Sequence, residues 1–192
     1  HGRHHARVPS HLGVFDAALP QVRGDARVVA SVGAVASKLQ VETLVRNRVK
    51  AVYICGDPDK GGDAGTLNNI RNLTAAGIPT FVVPRLPDEL DPDSFILREG
   101  MDAWRERVRA SVPGSVFRAV HVLEGVTPTS PEKERREAVE SVLPVLEDLV
   151  GDQAALDEET ILREAAARTG YTVEALAEVA ATYQERRRTE KE

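Results

Sequence analysis

Asp57 and Asp59 are the residues with the clearest chemical potential. They follow an apolar run, Ala51-Val-Tyr-Ile-Cys55, and precede Lys60, Gly61, Gly62 and Asp63. A short continuous apolar run closed by turn residues is the pattern of a buried parallel strand. In open α/β sheets, ligands bind beyond the carboxyl ends of the strands. Two carboxylates two positions apart at such an end repel each other unless a cation lies between them. Their hard oxygens suit Mg²⁺ or Mn²⁺. The single cysteine, Cys55, excludes an internal disulfide and a cysteine-rich zinc site, and reads as a small buried hydrophobe.

The elements that must position this acidic corner follow from hydropathy periods. Arg27–Val32 reads as a strand ended by Gly33. Ser37–Arg48 reads as a helix with Leu39, Val41, Leu44 and Val45 on one face. Ala51–Cys55 is the next strand. Ala64, Leu67, Ile70, Leu73 and Thr74 form a helical stripe stopped by Gly77, and Thr80–Val83 is a strand between Pro79 and Pro84. Strand–helix–strand–helix–strand predicts a parallel sheet with right-handed crossovers. Upstream, Phe15, Ala18, Leu19 and Val22 predict a short helix beginning near Val14 and ending at Gly24, interrupted by Pro20. Downstream come an acidic turn-rich loop at 86–93, a helix at Ser94–Glu99 stopped by Gly100, a helix at Asp102–Val112, and Val116–Leu123, also read as helix.

Thr127–Pro131 reads as a linker, with Ser130 as N-cap and Pro131 in the first turn of the next helix. Three helices follow, at Glu132–Val150 (kinked or split by Pro144), Asp157–Thr169 and Val173–Arg187, with Asp157 and Thr172 as caps and Gly170 as a stop. Their apolar faces (Leu143, Leu146, Leu149; Ile161, Leu162, Ala165; Leu176, Val179, Ala180) predict a small bundle. The charge run after Glu185 reads as a solvated, fraying end. The organisation expected is an atypical stretch at 1–12, an α/β core at 13–126 and a helical region at 130–192.

Composition bounds the function. The 192 residues are 42% hydrophobic but only 4% aromatic, so the core is aliphatic, and the formal net charge is −5. A stand-alone electrostatic DNA binder is normally basic, so that class is disfavoured. No apolar run reaches membrane-spanning length, and no signal peptide is evident, so a cytoplasmic, reducing setting is expected. Residues 1–11 hold His1, His4, His5 and His11, four of the five histidines. They read as a tag remnant, cloning scar or frayed end rather than as a metal cluster or buried strand.

Four features occur in one order: Gly13-Val-Phe-Asp16; Val28-Val-Ala-Ser-Val-Gly33; Asp57-Pro-Asp59 with Gly62 and Gly65-Thr66; and Leu86-Pro87 through Asp91-Pro-Asp93. Together, from about Gly13 to Trp104, they resemble the TOPRIM domain of DnaG-type bacterial and phage DNA primases. The resemblance implies a parallel sheet flanked by helices and metal-dependent nucleotidyl transfer that makes RNA primers on single-stranded DNA from NTPs. It implies Asp57 and Asp59 as metal ligands, Asp16 as their support in catalysis, and Asp91 and Asp93 completing the acidic patch around Mg²⁺ or Mn²⁺. Residues 130–192 resemble the helical extension through which such primases meet the replicative helicase at the fork. The family pattern opens Glu-Gly-x-x-Asp, whereas this chain reads Leu12-Gly13-Val14-Phe15-Asp16. Leucine stands at the glutamate position, and Arg7–His11 is not an apolar strand. The first strand and its acid are therefore expected to be missing or altered, and the chain to be a primase fragment with impaired activity.

Blander roles compete residue by residue. Asp91-Pro-Asp93 alone reads as a helix-capping turn, with Asp93 as the cap. Asp16 equally suits a helix N-terminus, where the dipole favours an acid. Lys60 reads as a solvated lysine, His121 as structural and Trp104 as a core or interface anchor. Among rival functions, a haloacid-dehalogenase-type phosphatase also places Asp-x-Asp at a strand end, but it needs Thr or Val where Gly61 stands and a lysine farther from that motif than Lys60. Another TOPRIM nuclease, or a non-catalytic TOPRIM interaction module, are the remaining alternatives.

Overall fold

The computed structural model of the chain describes residues 11–14, 28–29, 35–56, 60–149 and 152–190. The chain forms two compact units, His1–Val112 and Pro113–Glu192. The first is an α/β unit built on β1 (His11–Val14), β2 (Val28–Val29), β3 (Ala51–Ile54) and β4 (Thr80–Val82). Strand order is β2-β1-β3-β4-β5, where β5 is the two residues Val112–Pro113 at which this unit ends. Strands β1 to β4 pair in parallel, with Gly13 opposite Val28, Leu12 opposite Val52 and Tyr53 opposite Phe81.

The sheet corrects the expectation at the N-terminus. A first strand is present, it includes His11, and it lies between β2 and β3. Its sequence carries no apolar run; the backbone ladders to β2 and β3 define it. The helical pattern read from Val14 therefore starts inside a strand, and its remainder lies outside the described residues, as does most of the strand read at Arg27–Val32. Strands β3 and β4 match their expected positions to within one residue. The ladder continues past both ends through Val52 N–H to Pro79 O (2.9 Å) and Val83 N–H to Ile54 O (2.8 Å).

Helix α1 (Lys38–Arg46) opens with a capping box. The Ser37 hydroxyl accepts from Gln40 N–H, and the Gln40 side chain accepts from Ser37 N–H. Its apolar face is narrower than expected. Leu44 is buried, but Leu39 and Val45 are 68% and 48% exposed. Helix α2 (Lys60–Ala75) buries Ile70 and Leu73 completely against the sheet unit's core and stops at Gly77, whose φ of +74° only glycine adopts at no steric cost. Helix α3 (Pro92–Arg109) breaks at Gly100 (φ 88°, ψ 170°), so the two expected helices are two arms of one element. Trp104 on the second arm is buried with Val83, Leu86, Phe95 and Ile96, the core role expected of it.

The second unit holds α4 (Gly114–Val122), α5 (Glu132–Glu147), α6 (Ala154–Thr169) and α7 (Val173–Thr189). Its core joins Ala119 and Leu123, both fully buried, to Val142, Leu146, Ile161, Ala165, Leu176 and Ala180. The unit therefore begins at Pro113, ahead of the boundary read at 127–131: α4 packs across the linker onto α5 and α6. Ser115 Oγ donates to Asp157 Oδ2 (2.7 Å), and Arg118 pairs with Asp148 (2.9 Å). Asp157 is thus in the first turn of α6 rather than at its cap.

Pro144 does not split α5. It lies within three residues of the helix end, so one backbone bond is lost while Val142, Leu143, Val145 and Leu146 stay buried. Ser130 is not the N-cap; its hydroxyl accepts from Thr127 N–H (3.0 Å), and Pro131 takes the cap position. Gly170 (φ 73°) ends α6 and Thr172 caps α7, as expected. Val179 is exposed rather than packed. The terminal charge run is helical to Thr189. Arg187 reaches Glu190 (2.9 Å) and Glu147 (3.3 Å), which in that order hold its guanidinium above the ordinary arginine value. His121 faces Glu124 at 3.8 Å on the partly exposed side of α4.

Candidate functional site

Strands β3 and β4 are adjacent and parallel, so the connections that follow them leave the same edge of the sheet. Asp57 and Asp59 belong to the connection between β3 and α2, outside the described residues, as does Asp16 after β1. The connection after β4 leads through a short 3₁₀ turn, Pro87–Glu89, to Asp91 and Asp93. The expected cap is corrected here. Asp91, not Asp93, caps α3: its Oδ1 accepts from Ser94 N–H (2.7 Å) and its Oδ2 from the Ser94 hydroxyl (3.0 Å). Pro92 then occupies the first turn, where its missing N–H costs nothing. An ionised carboxylate has about four acceptor positions, so capping leaves Asp91 able to accept more. Asp93 is half-buried in the first turn of α3. Among the described residues no three His, Cys, Asp or Glu side chains are grouped to hold a metal ion. Strand β1 offers Leu12, Gly13 and Val14, none with a ligating oxygen on its side chain.

Three features near this edge escaped sequence reasoning. Arg85, after β4, pairs with Asp63 in the first turn of α2, joining the two connections. Asn69, 4% exposed on α2, accepts from Ala36 N–H at 2.7 Å and fixes the approach to α1. The signal was available: Thr66 and Asn69 share the buried face with Ile70 and Leu73, and a polar side chain there must have a partner. Replacing Asn69 with Leu strands a buried N–H, so a loss of about 1–3 kcal/mol in urea unfolding is expected. The third feature is strain. Asp88 and Glu89 both take φ of 54°, with Asp88 held by Arg98 at 2.7 Å. Asp88, then Glu99, keep the Arg98 guanidinium above its ordinary value. Left-handed backbone is costly for a non-glycine residue, so Glu89→Gly is expected to stabilise the unit by about 1 kcal/mol, read as a raised urea midpoint.

The family described as Toprim-like matches residues 13–96, the stretch that contains β1 through the first arm of α3. The DNA primase of Clostridium acetobutylicum is 31% identical over 144 residues, which is 70% of this chain and 24% of that protein. The DNA primase of Chlamydia trachomatis is 31% identical over 118 residues, 60% of this chain and 19% of that protein. The chain carries a TOPRIM domain of the DnaG primase type. It spans about a quarter or less of the curated relatives it matches.

Solved structures agree on the fold beyond the TOPRIM domain itself. A DNA primase domain from Pseudomonas aeruginosa superposes with a TM-score of 0.67 at 20% identity, covering 91% of this chain and 55% of that one. A DnaG catalytic core gives 0.67 at 22% identity, covering 88% and 55%. The unit from Pro113 onward is more than two fifths of the chain, so matches of this breadth include most of its helices. A DnaG primase catalytic domain bound to single-stranded DNA gives 0.65, covering 84% of this chain and 52% of that one.

Proposed function

We propose that this chain is part of a DNA primase and supplies the metal-binding portion of the site that joins NTPs into an RNA primer on a single-stranded DNA template. The observation that supports the reading is the parallel pairing of β3 with β4, so that the connections following the two strands leave one edge of the sheet. Asp57 and Asp59 would hold Mg²⁺ or Mn²⁺, Asp16 would support them, and Asp91 and Asp93 would close the acidic patch. The donor set is all oxygen, which fits a hard divalent cation. A bound divalent ion would activate the attacking 3′-hydroxyl and neutralise charge on the leaving pyrophosphate. The protein's share is to fix carboxylates on the rigid end of a sheet, leaving open positions for phosphate oxygens. With Leu12 and Val14 in β1, it does so with fewer acids than the family pattern holds.

The sequence resemblance implies a contact with the replicative helicase at residues 130–192. Their core is shared with α4, and catalytic domains of similar fold include these helices, which favours a place within the polymerising domain instead. The relatives are bacterial, and the site of action in this reading is the cytoplasmic replication fork. No helix among the described residues is long and apolar enough to cross a membrane.

Mn²⁺ titration by water-proton relaxation tests the site. The unmodified chain should bind Mn²⁺ weakly, and Asp57→Asn and Asp59→Asn should each weaken binding at least about tenfold, a change worth about 1.4 kcal/mol. Equal binding by all three proteins would remove these residues from the site and favour a non-catalytic TOPRIM module.

A further inference from the structure

We propose that Arg85 anchors the triphosphate of the incoming nucleoside triphosphate, and that Asp63 holds the guanidinium at the sheet edge until that anion arrives. This rests on the reading of the edge as a nucleotidyl-transfer site and goes further by naming the side chain that receives the substrate's charge. Arg85 stands three residues beyond the end of β4 and pairs with Asp63 in the first turn of α2, the helix that follows Asp57-Pro-Asp59. The other ion pairs described in this unit join residues on one helix or between the 87–89 turn and the first arm of α3. Among the described residues, Arg85–Asp63 is the ion pair that ties together connections leaving two different strands at this edge.

Stability does not account for the pair. The Arg85 side chain is 60% exposed and that of Asp63 34%, and exposed ion pairs contribute little to folding. Substrate charge does account for it. Asp63, Asp88, Asp91 and Asp93 are all on connections of this edge or their helix starts, and a triphosphate brings more negative charge to them. A cation placed among acids lowers that repulsion. Guanidinium presents a planar fork that matches two phosphate oxygens, which a lysine ammonium does not. Asp63 gives the fork a resting direction, and the triphosphate, carrying more charge, displaces it.

The experiment titrates ATP, and separately adenosine, into the full 192-residue chain with Mn²⁺ present, by calorimetry. The unmodified protein is compared with Arg85→Ala, Arg85→Lys and Asp63→Asn. Arg85→Ala should weaken ATP at least about tenfold, as expected for hydrogen bonds to a charged group, without changing adenosine. Arg85→Lys should fall between the two, and Asp63→Asn should bind ATP more tightly than the unmodified protein. ATP affinity that ignores Arg85, or a loss shared equally by adenosine, overturns the proposal. So does Asp63→Asn weakening ATP as much as Arg85→Ala, because the pair would then be a structural staple. Mn²⁺ alone, titrated by relaxation, separates the two claims. An unmodified chain that binds no Mn²⁺ refutes the metal site and this inference with it, whereas retained Mn²⁺ binding with ATP indifferent to Arg85 refutes the Arg85 role alone.

Discussion

Within a complete primase polymerising domain containing this chain, Asp59→Asn is expected to lower templated NTP incorporation at least about a hundredfold, the scale of a 1 Å misplacement of reacting groups. Asparagine keeps the shape of the side chain and removes its charge, so the loss would be electrostatic. Asp57→Asn should behave alike, because in the proposed site the two acids serve one cation. Folding should move the other way. Without metal the two carboxylates repel, so removing one charge should leave the melting temperature unchanged or raise it. A variant with lost activity and a lowered melting temperature would indicate damage to the fold rather than to the site. Full activity in either variant would place the catalytic metal elsewhere. The absence of a carboxylate along Leu12–Val14 also predicts little synthesis by the isolated chain, since the remaining acids must position the ion without help from β1.

Expressed alone, residues 113–192 should fold and melt cooperatively, whereas residues 130–192 should not. The difference is α4. Ala119 and Leu123 are fully buried, and Ser115 and Arg118 reach Asp157 and Asp148 across the bundle. Burying one leucine contributes roughly 1.5–3 kcal/mol. A small helical core rarely supplies more than about 3–5 kcal/mol in total. Removing α4 therefore takes away most of the margin and opens the centre of the core to water. Circular dichroism melts of the two fragments decide the matter: matching cooperative transitions would mean that α5, α6 and α7 close a core unaided.

What the sequence made legible was set by local rules. Strands β3 and β4 read as apolar runs between turn residues, α2 as a 3.6-residue stripe, and the break in α3 as Gly100, because each signal lies inside its own element. Strand β1 was hidden because its partners lie about 15 and 40 residues downstream, as its pairing with Val28 and Ala51 shows. The allegiance of α4 was hidden for a similar reason, since a helix beside a linker carries no mark of the side to which it packs. At the candidate site the acidic motifs were legible as types and spacings. The role of Asp91 as the cap was not, because Asp91 and Asp93 flank Pro92 and both suit a helix start. The pairing of Arg85 with Asp63 spans 22 positions and has no periodic signature.

The place of β1 in the strand order has a consequence for how the protein tolerates damage. A strand lost from the rim of a sheet leaves a narrower sheet. A strand lost from between β2 and β3 leaves two pieces, each with a new row of unpaired amide and carbonyl groups, which invite pairing with other chains. N-terminal trimming or misthreading that reaches His11–Val14 should therefore appear first as insolubility, before any loss attributable to chemistry. The segment least recognisable as a strand in the sequence is thus the one whose removal most threatens the solubility of the whole.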